Sequence, residues 1–326
     1  MRLQLSLFGV SLLAVIGVWL ASCEQTTEAL ADRKQRENAQ EIQDYIRTNN
    51  LQATQFGSTG VFYVKTLSAP NNQSAVTGDE VKFFVTSSRF DGIVVDSTDG
   101  RTPAVYTFGT NPAQLRRPSV LVNGSYLYTN ITDGMLAGLI VGREGERITL
   151  LVPSYYDNGR QGNLVLPQYQ PIRYDMRIVS IRTEDEQIRD YIAANKITVT
   201  DTAAGGIRIA KTLARPDSAL IKVGETATVR FTGRLLSGTT FETNVPSAAA
   251  IASNPSSATV GQDVVIGQSI VPQGWTTGLQ KVRRGEKFLL LFPSSQGYGP
   301  SGNQRPLAIV PPYAPLYYEM EILRVK

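Results

Sequence analysis

Half of this chain is written twice. Ile42–Leu51, "IQDYIRTNNL", recurs as "IRDYIAANKI" at Ile188–Ile197, and Gly60–Leu67, "GVFYVKTL", recurs as "GIRIAKTL" at Gly206–Leu213. Gly78–Val85, "GDEVKFFV", is matched by "GETATVRF" at Gly224–Phe231. The longest match pairs Asp133–Ser154, "DGMLAGLIVGREGERITLLVPS", with Gln273–Ser294, "QGWTTGLQKVRRGEKFLLLFPS". The last pairs Pro167–Ile178, "PQYQPIRYDMRI", with Pro311–Ile322, "PPYAPLYYEMEI". The order is preserved and the offset stays near one domain length, so the chain holds two homologous units. The boundary falls near Thr183, with one unit at 41–182 and the other at 183–326.

Each unit reads alike. A short amphipathic helix surrounds Tyr45 or Tyr191, where apolar residues recur at helical spacing. Strands of period two follow, such as Thr226–Gly233 with Ala227, Val229 and Phe231 on one face. "SGTTFE" at Ser237–Glu242 is a turn feeding another strand, a short helix follows Gly274, and "EKFLLLFP" is a buried strand. A Gly-rich loop then leads through "IVPP" into the last strand. Strands with a single interposed helix predict an α+β unit, an antiparallel β-sheet wrapped around a short α-helix, with an N-terminal helix before each unit.

Ahead of the repeats stands a different kind of segment. Arg2 precedes an apolar run from about Leu5 to Leu20, the layout of a secretory signal. It ends in Leu20-Ala21-Ser22-Cys23, which resembles the lipobox of bacterial lipoproteins, with 1–22 as the signal peptide and Cys23 receiving the lipid. Cys23 is the only cysteine, so no disulfide forms within one chain. Several acyl chains on it would anchor the protein stably to a membrane. Glu24 stands where Asp would favour inner-membrane retention, so the resemblance points to the outer membrane of a bacterial cell envelope. Residues 23–40 are polar and free of aromatics and read as a flexible tether.

Composition excludes several chemistries. There is no histidine, which removes histidine bases, Ser-His and Cys-His triads and histidine-ligated metals. The net charge is only +4. The basic runs Arg116–Arg117 and Lys281–Lys287 are short and mixed with other residues, a solvated surface rather than a nucleic-acid stripe.

From Gly224 to the end, "VRFTGRLLSGTTFE", "GWTTGL", "VRRGEKFLLLFP", "YGPSGN" and "IVPPYAPLYYEMEIL" together resemble an FKBP-type peptidyl-prolyl cis-trans isomerase domain. The resemblance implies a shallow aromatic pocket for a proline ring with Trp275 as its floor. Phe241, Val271, Tyr298, Val310 and Tyr318 would line it, with Phe231 and Glu242 at its polar edge, and Tyr298 would donate a hydrogen bond to a substrate carbonyl. It implies proline-containing polypeptides as partners, and chemistry that needs neither metal nor cofactor.

The departures are as informative. Phe231 stands where the family usually has Tyr, Glu242 where it has Asp, and Tyr318 where it has Phe. Either Pro272 occupies a position whose N–H donates to ligands, and that donor is gone, or Gln273 is a one-residue insertion that displaces Val271. In the first unit the repeat places Val85 at the Phe231 position, Val95 at Phe241, Asp96 at Glu242, Met135 at Trp275 and Asn158 at Tyr298. That copy has lost most of the aromatic box and reads as a non-catalytic module. Two functions follow from these residues: an envelope-anchored isomerase that assists folding of exported proteins, or a binding protein of isomerase-like fold in an outer-membrane assembly.

Overall fold

The computed structural model describes residues 29–98, 100–110, 116–122, 125–157, 162, 165–247, 260–268, 271–305 and 308–326. Helix α1 (Leu30–Thr48) leads into strands β1 (Thr54–Gln55), β2 (Phe62–Leu67), β3 (Glu80–Ser88), β4 (Val94–Ser97) and β5 (Ala104–Thr107). A hairpin of β6 (Arg116–Val122) and β7 (Ser125–Asn130) follows, then helix α2 (Asp133–Val141), β8 (Arg147–Val152) and β9 (Ile172–Arg182). The second unit runs through helix α3 (Glu184–Ala194), β10 (Asp201–Ala203), β11 (Ile207–Leu213), β12 (Thr226–Leu235), β13 (Thr240–Thr243) and β14 (Gln262–Val265). It ends with helix α4 (Gln273–Leu279), β15 (Lys287–Phe292), β16 (Asn303–Arg305), β17 (Ala308–Val310) and β18 (Leu316–Val325).

The two sheets have one topology. Strand order is β1-β2-β8-β9-β3-β4 in the first, with β5 also on β3, and β10-β11-β15-β18-β12-β13 in the second, with β14 on β12. All of these pairings are antiparallel. The α+β architecture expected from the repeat is therefore what forms, twice, each sheet burying its own core against one short helix. Backbone detail repeats as well. Asn50 and Lys196 take the left-handed conformation at φ 49° and 54°, and Tyr169 and Tyr313 at 58° and 54°.

Both helices can lie on their sheets because they carry Gly-x-x-x-Gly. A Cβ on Gly274 would come 2.7 Å from the Phe292 ring, and one on Gly278 would come 2.5 Å from Leu290 Cδ1. In the first unit Gly134 and Gly138 face Val152 at 2.5 Å and Met176 Sδ at 2.6 Å in the same way. A second repeated device is a buried carboxylate. Glu146 accepts from the Arg143 and Ala69 amides at 2.9 and 3.0 Å and pairs with Lys65 at 2.8 Å. Glu286 repeats this with the Arg283 and Arg215 amides at 2.9 and 3.1 Å and Lys211 at 3.4 Å. The shared "KTL" and "GE" segments are thus the two ends of one buried ion pair, which such burial requires.

The tether is shorter than the sequence suggests. Residues 30–40, expected as flexible, are helix, because α1 docks along the first sheet. Asn38, 1 % exposed, donates to the Tyr169 carbonyl at 2.8 Å and accepts from the Ser154 amide at 2.8 Å. Two tertiary hydrogen bonds and the buried Ile42 hold a segment whose composition reads as solvated. Glu184 at the start of α3 performs the same task in the second unit, accepting from the Ser294 hydroxyl at 2.7 Å and from its amide. Residues 1–22, Cys23 and the rest of the expected tether up to 28 lie outside the described residues. Among the described residues no helix is long and apolar enough to cross a membrane.

Candidate active site

The C-terminal sheet packs on α4, and its buried face gathers one cluster of aromatic rings among aliphatic residues such as Val229, Leu290 and Ile322. Strand alternation sends Phe231 of β12 and Tyr318 of β18 inward, and β13 adds Phe241. Gly233 lies between them. A Cβ there would meet Tyr318 at 2.6 Å and Phe241 at 2.8 Å, so only glycine lets these rings close up. Trp275, 1 % exposed, is held beneath by α4, edge-on to Phe231 and Tyr318 at centroid distances of 4.7 and 5.0 Å. Tyr318 also lies 5.7 Å from Phe241 and stacks on Phe292 at 5.7 Å.

Above this floor is a pocket of about 360 Å³. Five of the residues expected at the site line it: Phe231, Glu242, Val271, Trp275 and Tyr298. Phe241, Val310 and Tyr318 do not reach its surface; they are 3, 0 and 0 % exposed and support the lining from below. Pro272, Gln262, Gly297 and Arg305 line it as well. Gln262 carries no local signal, since β14 reaches the pocket through its pairing with β12, and Arg305 comes to it on the β16–β17 hairpin. Pro272 is the N-cap of α4, and its carbonyl accepts from the Trp275 amide at 2.9 Å. Thr132 holds the same place before α2, with equal spacing to Met135, so Gln273 is no insertion relative to the first unit. Pro272 itself offers the pocket no N–H.

The polar edge is Glu242 and the Tyr298 phenol, with the buried Tyr318 phenol holding the carboxylate from below. Tyr318 Oη donates to Glu242 Oε1 at 2.7 Å. Burial first, and the Glu242 charge second, push the phenols of both Tyr318 and Tyr298 above their ordinary value, so both stay protonated donors at neutral pH. The hydroxyl absent from Phe231 is present instead on Tyr318, reaching the carboxylate from the neighbouring strand. Among the described residues no three His, Cys, Asp or Glu side chains come together in a way that could hold a metal ion.

The first unit keeps the scaffold and loses the rings. Val85, Val95 and Met135 stand at the expected places, buried or half-buried in its core, and Asp96 has the ladder position of Glu242. Asn158 lies outside the described residues. One aromatic survives. Tyr174 has the register of Tyr318, opposite Ser87 as Tyr318 is opposite Gly233. Its hydroxyl bonds Asp157, with Thr132 Oγ1 at 3.3 Å, so it is tied within its own unit.

A sheet wrapped on one short helix, with an aromatic floor and the protonated Tyr298 phenol beside Glu242 in the lining, suits a reaction that rotates a bond without breaking one. Residues 218–323 match the family model for the FKBP-type peptidyl-prolyl cis-trans isomerase. An FK506-binding protein of Neisseria meningitidis serogroup B is 34 % identical over 102 residues, 31 % of this chain and 81 % of that one. FK506-binding protein 1 of Candida glabrata is 29 % identical over 127 residues, 39 % of this chain and 99 % of that one. A macrophage infectivity potentiator of Trypanosoma cruzi is 32 % identical over 98 residues, 30 % of this chain and 42 % of that one. The chain belongs to the FKBP-type peptidyl-prolyl cis-trans isomerase family, and peptidyl-prolyl isomerisation is its activity.

Proposed function

We propose that the pocket over Trp275 takes the proline ring of an Xaa-Pro bond, and that the protein does this for exported chains while held to a bacterial envelope through lipid on Cys23. The barrier to rotation is roughly 18–20 kcal/mol and is largely amide resonance. Water stabilises the planar, charge-separated amide at its carbonyl oxygen. An apolar pocket removes that solvation, and a shape that favours the twisted geometry lowers the barrier further. Trp275 and Phe231 supply the apolar surface, Tyr298 the donor to a substrate carbonyl, and Glu242, held by Tyr318, the fixed charge at the rim. The first unit, with Met135 for Trp275, serves partner binding rather than catalysis, and proline-containing polypeptides are the clients.

The observation that carries this reading is the indole floor edge-on to Phe231 and Tyr318 beneath an open pocket. The test is cis/trans exchange of an Ala-Leu-Pro-Phe peptide by the mature chain, beside Trp275→Ala and Tyr298→Phe. Loss of catalysis in both places the reaction here. Activity that persists in both would move the site elsewhere. Labelling with a fatty acid in cells, lost in Cys23→Ala, tests the anchor.

A further inference from the structure

The first sheet turns a second face away from its core, and across it lies an open trough of about 420 Å³. Thr66, Phe84, Thr86, Arg147, Thr149 and Arg177 are among its lining. Arg147 of β8 and Arg177 of β9 are direct cross-strand partners. Like charges so placed repel. Among the described residues neither arginine forms an ion pair, and Arg177 instead lies over the Phe84 ring at 4.6 Å. Asp175, on the same face, is already engaged by Arg173 at 2.8 Å and by the Thr149 hydroxyl at 2.6 Å.

The second unit is an internal control. At the same register Lys287 faces Glu321, and the two pair at 3.4 Å. Arg230, in the place of Phe84, pairs with Glu321 as well, at 3.8 Å. One copy of the fold thus balances its charges at this register, while the other sets two arginines side by side and gives one an aromatic platform. An uncompensated pair of this kind lowers stability unless a ligand supplies the missing negative charge.

We infer that this face binds an acidic polypeptide segment, whose carboxylates bridge Arg147 and Arg177. Guanidinium groups bind carboxylates in a bidentate, charge-assisted manner. The Thr86 hydroxyl offers a further hydrogen bond, the Thr66 hydroxyl already donating to the Arg147 carbonyl at 3.2 Å, and Phe84 offers apolar contact that suits a side chain. The open trough crosses β2, β8, β9 and β3 and fits an extended chain laid across these strands. This site is independent of the isomerase pocket, and its test does not use catalysis.

The experiment is fluorescence anisotropy of a labelled peptide of alternating Glu and Thr with the full mature chain at low salt. Wild type binds, and Arg147→Gln with Arg177→Gln together weakens binding by about tenfold or more, as expected for loss of close charge pairs. Lys287→Gln, the equivalent change in the second unit, leaves it unaltered. Arg177→Glu recreates the balanced pair, so it abolishes binding and raises the melting temperature of the unliganded protein. Failure of wild type to bind, or equal binding by the double variant, overturns the inference. So does a melting temperature that does not rise in Arg177→Glu, or arginine-dependent binding of phosphatidylglycerol vesicles with none of the peptide.

Discussion

Replacing Tyr318 by Phe removes one oxygen atom from the floor of the pocket and leaves every ring contact in place. The ring is fully buried and its hydroxyl donates to Glu242 at 2.7 Å. A hydrogen bond to a charged group contributes about 1.5–3 kcal/mol. Glu242 is only half-buried, so water can replace part of what the phenol gave, and the lower end applies. Tyr318→Phe should therefore cost about 1.5 kcal/mol, a downward shift of roughly 1 M in the urea midpoint for a domain of this size. Trp275 is the only tryptophan beyond Trp19 and sits 5.0 Å from the altered ring, so in a protein made without residues 1–22 its fluorescence reports unfolding of this unit alone. The double-mutant cycle with Glu242→Gln isolates the pair. A coupling below about 0.3 kcal/mol, within the scatter of independent sites, would refute the claim that Tyr318 holds this carboxylate.

Lys65→Met should cost about 3–5 kcal/mol near neutral pH, because it leaves Glu146 charged and buried without its partner. Burial pushes the Glu146 carboxyl up, but Lys65 and the Ala69 and Arg143 amides outweigh it and hold it below its ordinary 4.5. Its contribution in wild type is therefore full above that ordinary value and is lost as pH falls through the lower folded one. Removing Lys65 takes away the strongest influence that lowers this carboxyl while its burial remains, so the loss should shrink toward about pH 4 as the carboxyl takes a proton more readily. Denaturation at both pH values checks this, and an equal loss at both refutes it. Gly278→Ala places a methyl 2.5 Å from Leu290 Cδ1. Overpacking of about 1–3 kcal/mol should outweigh the roughly 1 kcal/mol gain in helix propensity, and a raised melting temperature would contradict the close approach.

Much of the site is legible in the residue order alone. Phe231, Glu242, Val271, Trp275 and Tyr298 are named by the family resemblance of the motifs that hold them, and these five line one pocket. What escaped were residues whose role depends on a distant partner. Gln262 enters the lining through the pairing of β14 with β12, Gly233 matters only because two rings converge on it, and Tyr174 retains the Tyr318 register in a unit otherwise stripped of its box. The tether failed for the same reason. Nothing in the polar run around Asn38 announces a carbonyl 131 residues away that accepts its hydrogen bond.

The sequence by itself determined that there are two units, that each is a sheet on one short helix, and that the rings at Phe231, Phe241, Trp275 and Tyr298 are kept only in the second. These follow from repeat, period and residue type, which are properties of neighbours along the chain. Tertiary structure decided that Tyr318 rather than residue 231 supplies the hydroxyl to Glu242, that α1 begins at Leu30, and that Arg147 faces Arg177 where Lys287 faces Glu321. Each of those is a statement about register between segments far apart in the chain. Register is set by the packing of whole strands, because a slip of one residue would turn every side chain to the opposite face.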